Sequence, residues 1–253
     1  MHVSRTTRSI LTTALAVVLT VGGLGACSTG DRSNTVAAEP APPPEVANLL
    51  TRCLDFLDGS RTAAFTVKGT GVPKDAGKSR MISGKGVMSR PTPSTAAFDG
   101  DLKVLISGSE VPVSVISFRG RLYVRTGENA AWQVSDPGAF GMIDPATWIE
   151  REKGIPRMLT ELKSVQDGGT STLDDGTVVH DVKGYITGYL AARLIPIADV
   201  NSRVQITLSI DPKTYELRRA VMTGHFFESA PSSSYVVRLF DYDEKVVIKP
   251  PKV

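Results

Sequence analysis

Histidine and cysteine are scarce in this chain: three and two of its 253 residues. Two cysteines cannot build a disulfide framework or fill a structural zinc site. Aromatic residues make up only 6%, too few for the stacking platforms that grip single-stranded nucleic acid. Neither sign of charge dominates, because 29 Lys and Arg against 26 Asp and Glu leave a formal net charge of +3. A nucleic-acid protein would show a dense basic face instead. The chain has no Gly-x-Ser-x-Gly elbow and no His-Glu-x-x-His, and His225-Phe226-Phe227-Glu228 runs in the wrong order. With 41% hydrophobic residues and 23 Gly, the composition is that of an ordinary globular unit. It is neither disordered nor fibrous.

The first 27 residues carry an address. Arg5 and Arg8 form a short basic region, and residues 10–24 form an apolar one. The stretch closes on Leu24-Gly25-Ala26-Cys27, with the small residues a signal peptidase accepts. Cysteine directly after Leu-Gly-Ala resembles the bacterial lipobox, which implies that the Cys27 thiol receives a diacylglycerol and becomes the mature N-terminus. A plain secretory signal with an incidental cysteine is the alternative. A retained span is disfavoured, because Thr12, Thr13, Thr20, Gly22 and Gly23 interrupt the apolar run. Loss of residues 1–26 removes two of the 29 basic residues and no acid, so 27 basic residues would face 26 acidic ones. Membrane attachment would then rest on acyl chains, at about 0.8 kcal/mol per buried CH₂.

Residues 28–43 are small, polar and Pro-rich, the composition of a solvated tether with a reach of roughly 20–24 Å. The expected organisation is a signal over 1–26, the lipidated Cys27 and tether over 27–43, and one domain over 44–253. Pro44-Glu45 suits a helix start. Val46, Leu49, Leu50, Cys53, Leu54 and Leu57 recur at helical spacing up to Gly59. Cys53 falls on that apolar stripe and reads as a buried small hydrophobe.

Beyond Arg61 the period becomes two. Strands are expected around Phe65 and Val67, over 82–88 with a stop at Pro91-Thr92-Pro93, and through Leu102, Val104 and Ile106. Further strands follow through Val111, Val113 and Val115, through Leu122 and Val124, and at 132–134. Short turns between them make this a meander of antiparallel hairpins. Short helices are expected at 155–162 and 188–194, with strands at 178–182, 204–210, 217–227 and 235–242. No βαβ rhythm supports a parallel nucleotide-binding sheet.

Candidate chemistry is thin. Gly71 to Ser79 has five residues between its glycines where a phosphate loop needs four, and a strand pattern follows it. The acidic pairs Asp99/Asp101, Asp174/Asp175 and Asp241/Asp243 read as solvated edges. Asp243-Glu244-Lys245 reads as protection of a sheet edge. His180 and His225 read as structural.

Several of these features resemble the mycobacterial lipoproteins LppX, LprA, LprF and LprG. They are the lipobox Cys27, the Pro-rich tether, the amphipathic helix and the meander ending Phe118-Arg119-Gly120-Arg121-Leu122-Tyr123-Val124. Ile143-Asp144-Pro145 with the distant Gly154-Ile155 belongs with them, as does the end from Val236-Val237-Arg238-Leu239 to Lys249-Pro250-Pro251. One departure is Asp241-Tyr242-Asp243-Glu244, where the family often carries Trp-Gly. The resemblance implies an α+β fold, an antiparallel β half-barrel like those of LolA and LolB, with helices closing the concave face. It implies an exported protein, anchored through Cys27 to the outer face of the cell membrane, that binds acylated lipids or glycolipids and helps carry them across the envelope. It implies no catalytic residue, cofactor or metal, no nucleic-acid partner, a monomer, and a membrane transporter as a possible partner.

Period two places Leu102, Val104, Ile106, Val111, Val113, Val115, Leu122 and Val124 on one face. These residues are expected to form a lipid-binding wall facing helices that carry Leu159, Leu162, Leu190 and Leu194. Alternating strands fit a filled core equally well. An anchored interaction or sensor module without a cavity therefore stays open, and so does an envelope hydrolase whose site is split along the chain.

Overall fold

The computed structural model describes residues 41–74, 79–92, 95–230 and 232–253. The signal segment, Cys27 and most of the tether lie outside these residues, as do positions 75–78 of the near-miss phosphate loop. The chain begins with helix α1 (Pro44–Gly59). Six strands follow: β1 (Thr62–Thr70), β2 (Arg80–Thr92), β3 (Thr95–Ile106), β4 (Ser109–Phe118), β5 (Arg121–Arg125) and β6 (Gln133–Ser135). A linking stretch holds two 3-10 turns, Pro137–Phe140 and Pro145–Ile149, and helix α2 (Ile155–Thr160). Then come β7 (Lys163–Thr172), β8 (Val178–Thr187), helix α3 (Gly188–Ala191), β9 (Arg203–Ile210), β10 (Leu217–Gly224) and β11 (Ser233–Phe240).

All eleven strands form one antiparallel sheet in the order β6-β5-β4-β3-β2-β1-β11-β10-β9-β8-β7. Two meanders are therefore joined where β1 pairs with β11, with Val67 opposite Val237. The sheet does not close: β6 and β7 are its free edges. It is an α+β half-barrel, with the helices on the concave side.

Alternation decides which residues meet there. Ala63, Phe65 and Val67 of β1 face the core with Leu102 and Val104 of β3 and with Val113 and Val115 of β4. So do Val182, Ile206, Leu208, Met222, Val237 and Leu239 from the other meander. Val46, Leu49, Cys53 and Leu57 of α1 complete the cluster. Burial pushes the Cys53 thiol up to about 12, so it stays protonated at neutral pH. No basic residue lies in the last turn of α1. Arg90 of β2 supplies the missing cation: its Nη2 donates to the carbonyls of Leu57 (3.1 Å), Asp58 (2.9 Å) and Ser60 (3.0 Å). Those are the carbonyls a helix end leaves without partners.

A second, smaller apolar cluster lies apart from this core. Ile248, near the C-terminus, packs with Ala97, Ile116 and Tyr123 of β3, β4 and β5.

The structure corrects several expectations. β7 had no periodic signal, because K-S-V-Q-D-G-G-T-S-T is almost wholly polar. It is an edge strand with two register shifts against β8, and an edge has only one neighbour to satisfy. β2 runs through Pro91 to Thr92, but its pairing with β3 slips between Ser89 and Thr92, where a missing N–H breaks no regular ladder. β8 continues to Thr187, and β10 stops at Gly224. α2 ends before Leu162 and α3 before Leu194. Asp243 protects no edge, since β11 lies between β1 and β10. Its carboxylate instead accepts a hydrogen bond from the Arg61 backbone N–H at 2.7 Å.

Candidate functional site: the concave apolar face

Cross-strand pairing puts the expected wall residues side by side. Leu102 lies opposite Val113, Val104 opposite Val111, and Val115 opposite Val124. Leu102, Val104, Val113, Val115, Leu122 and Val124 are buried, and Ile106 and Val111 are half-buried at the end of the β3–β4 hairpin. Leu159, Leu190 and Leu194 are buried in the same cluster, and Leu162 packs against its margin. All twelve side chains therefore belong to one continuous apolar mass.

Sequence reasoning did not find what fills the middle of that mass. Gly84 and Gly86 of β2 and Gly100 of β3 share the inner face, with Gly86 opposite both Phe65 and Gly100. They leave a shallow floor on which the Phe98 ring rests. A Cβ at Gly86 would come within 2.6 Å of that ring, and one at Gly100 within 2.7 Å. Phe65 packs against Phe98 with centroids 5.6 Å apart, and Trp148 packs against Phe65 at 5.1 Å. The alternation of Gly84 and Gly86, with Gly100 across the hairpin, was the available signal. Read by composition alone, it looks like a strand interrupted by breakers.

Trp148 arrives from outside the sheet, and the Asp144-Pro145 motif explains how. Asp144 accepts from the Ala146 N–H at 3.0 Å, which caps the 3-10 turn, and from the Ser117 hydroxyl of β4 at 2.9 Å. The turn is thereby fastened to the sheet by one carboxylate. Pro145 occupies the first position of the turn, where no N–H is needed. Gly154 begins α2 against the same turn, and a Cβ there would sit 2.1 Å from the Trp148 carbonyl oxygen. The spacing from Asp144 to Gly154 is thus the geometry that seats Trp148 under α2.

Two cavities border this region. The smaller, about 20 Å³, is lined by Leu57, Ala63, Met88, Trp148, Ile155 and Leu239 among others. The larger, about 280 Å³, opens at one rim between Met81, Ile195, Phe226, Phe227 and Tyr235. Arg80 lines it, its guanidinium 5.0 Å from the Phe227 ring centre, and the Tyr235 hydroxyl donates to the Met81 carbonyl at 2.9 Å. At 280 Å³ it sits at the bottom of the range for ligand pockets.

Groups with acid–base chemistry lie elsewhere. His180 Nε2 is 2.8 Å from the Asp167 carboxylate on the β7–β8 edge, and His225 is exposed. Asp174 pairs with Arg238, and Asp175 lies 3.5 Å from Arg218. Among the described residues, no three His, Cys, Asp or Glu side chains come together. Within the same residues, no helix is long and apolar enough to cross a membrane.

A model of the LppX_LprAFG lipoprotein family matches residues 48–248. The chain belongs to that family. Its fold is also that of two family structures. LprF from Mycobacterium bovis superposes with a TM-score of 0.68 at 16% identity, over 84% of this chain and 99% of that one. LppX from Mycobacterium tuberculosis superposes with a TM-score of 0.55 at 18% identity, over 80% of this chain and 99% of that one. No curated protein sequence matches the chain. Membership makes this a lipoprotein associated with the cell envelope.

Proposed function

We propose that the protein binds acylated lipids or glycolipids between its sheet and the segments covering it, and helps carry them across the envelope. The observation that carries the reading is the concave face: one apolar mass covered by α1 and, beyond it, by short segments, the Pro145–Ile149 turn, α2 and α3. Removing a lipid with two sixteen-carbon chains from a bilayer costs roughly 25 kcal/mol at about 0.8 kcal/mol per CH₂. A carrier must offer an equally dry surface. The wall from Leu102 to Val124 and the leucines at 159, 162, 190 and 194 are its proposed contacts. The rim cavity alone is too small for two such chains, so the ligand space opens when the 3-10 turn and α2 move off the glycine floor.

In this reading residues 1–26 are removed and Cys27 carries the anchor. Residues 27–43 tether the domain at the outer face of the membrane, close enough to exchange lipid with it or with a transporter. No step of the process is chemical.

The experiment is native mass spectrometry of the Cys27→Ala chain, which lacks the acyl anchor. The expected spectrum contains protein carrying a lipid-sized adduct that organic extraction removes. Protein free of adduct, which also fails to take up added glycolipid, would favour an anchored interaction module over a carrier.

A further inference from the structure

The indole of Trp148 is 2% exposed, and its Nε1 is fully buried with no acceptor among the described residues. An orphan donor in an apolar interior is costly, and a phenylalanine would fill much the same space without that cost. The donor is not there by accident of a loose loop. The Asp144 carboxylate ties the turn to Ser117 of β4, and Gly154 lets α2 close over it. Trp148 also borders the 20 Å³ pocket, where the other polar side chains are Ser60 and Tyr242. Both already donate elsewhere: the Ser60 hydroxyl to the Phe56 carbonyl at 2.9 Å, and the Tyr242 hydroxyl to the Leu217 carbonyl at 2.7 Å. Among the described residues lining that pocket, Trp148 therefore offers the one uncommitted side-chain donor, amid aromatic and aliphatic walls.

We propose that the Trp148 N–H is the polar recognition point of the concave face and donates to the ester carbonyl of an acyl lipid bound there. The inference rests on the carrier reading and deepens it: it selects ester-linked acyl chains over ether-linked chains or plain hydrocarbon. Chain carbons would lie along the Leu102–Val115 wall. The carbonyl would stop at Trp148, which fixes how far the lipid enters. An ether oxygen is a weaker acceptor and leaves the donor unsatisfied.

The experiment compares two probes with identical head groups and chain lengths, dipalmitoyl phosphatidylcholine and its di-O-hexadecyl ether analogue, binding to delipidated Cys27→Ala protein. The expected result is about a tenfold preference for the ester. In Trp148→Phe the preference should vanish through weaker ester binding, with ether binding retained. A second measurement does not depend on that variant folding. The chain has two tryptophans, so Trp132→Phe leaves Trp148 as the sole emitter, and its emission should shift to the red with the ester and not with the ether. Equal affinity of the unaltered protein for both probes assigns the donor to a buried solvent molecule and overturns the inference while leaving the carrier reading intact. If neither probe nor an acylated glycolipid binds, the carrier reading fails first.

Discussion

The two meanders of the sheet build their inner faces differently. From β7 to β11 the face is lined mainly by aliphatic chains: Val182, Ile186, Val204, Ile206, Leu208 and Ile210 meet Ala220, Met222, Val237 and Leu239. Most of the filling comes from the strands themselves; Phe226 from the β10–β11 connection packs on Tyr235 at 5.2 Å, and α1 reaches this half where Arg52 lies 5.3 Å from the Tyr215 ring centre. From β1 to β5 the sheet is thinned by Gly84, Gly86 and Gly100, and the volume is refilled by Phe65, Phe98 and a tryptophan delivered by a loop. The first arrangement is a core filled mostly by its own strands. The second is complete only while the 3-10 turn carrying Trp148 stays down. The proposed acyl-binding surface is assigned to the second.

The largest contrast should appear on truncation. Phe98→Ala should lose about 3–5 kcal/mol in denaturant unfolding, and Leu208→Ala about 2–5 kcal/mol. Added acyl lipid should restore part of the loss in Phe98→Ala and none in Leu208→Ala. Recovery in both, or only in Leu208→Ala, would erase the distinction between the halves.

The glycine floor should resist filling. At Gly86 a Cβ would come within 2.5 Å of the Asp99 carbonyl oxygen as well as the Phe98 ring, so Gly86→Ala should cost about 1–3 kcal/mol. An unchanged thermal midpoint would mean that the ring does not rest on the floor. Val104→Trp and Val113→Trp act on the same face from the neighbouring strands. They should reduce bound lipid more than they lower the midpoint of delipidated protein. Delipidation matters because bound ligand itself raises stability.

Asp144→Ala removes a cap worth about 1 kcal/mol and unties the turn from Ser117. Trp148 emission should move to the red in that variant, while near-ultraviolet signals from the β7–β11 half stay the same.

The smallest effect concerns pH. Asp167 is held below the usual carboxylate range by the Gly169 N–H and then by His180, and Asp174 by Arg238. A lowered folded value adds stability above the unfolded value, near 3.8, and that stability is lost as pH falls through the folded value. Both groups are exposed, so the loss below pH 4 should be slight and confined to exchange of β7 and β8 amides. Equal acid sensitivity in β3 and β4 would contradict this.

Much of this was readable in advance. Helix α1 follows from the spacing of Val46, Leu49, Cys53 and Leu57, and the wall from strict alternation through Leu102, Val104, Val113 and Val115. These signals are local and periodic. β7 escaped because an edge strand needs no apolar alternation. The Phe98–Phe65–Trp148 filling escaped because it joins β1, β3 and a loop distant in sequence, through glycines whose role appears only when their neighbours are known. Leu162 and Leu194 keep their places in the apolar mass although both lie beyond the helices expected to carry them, since burial depends on where the chain passes rather than on its local hydrogen bonding.

The central claim is that an acyl chain lies on the inner face of β1–β5, under the turn that carries Trp148. The most direct measurement is photolabelling of the Cys27→Ala chain with a phosphatidylcholine bearing a diazirine near the end of one acyl chain, followed by peptide mapping. The account predicts labels on the β3 and β4 peptides holding Leu102, Val104, Val113 and Val115, suppressed by excess unlabelled ester lipid. Labels spread over the outer face, or on β8 and β9 in place of β3 and β4, would contradict it.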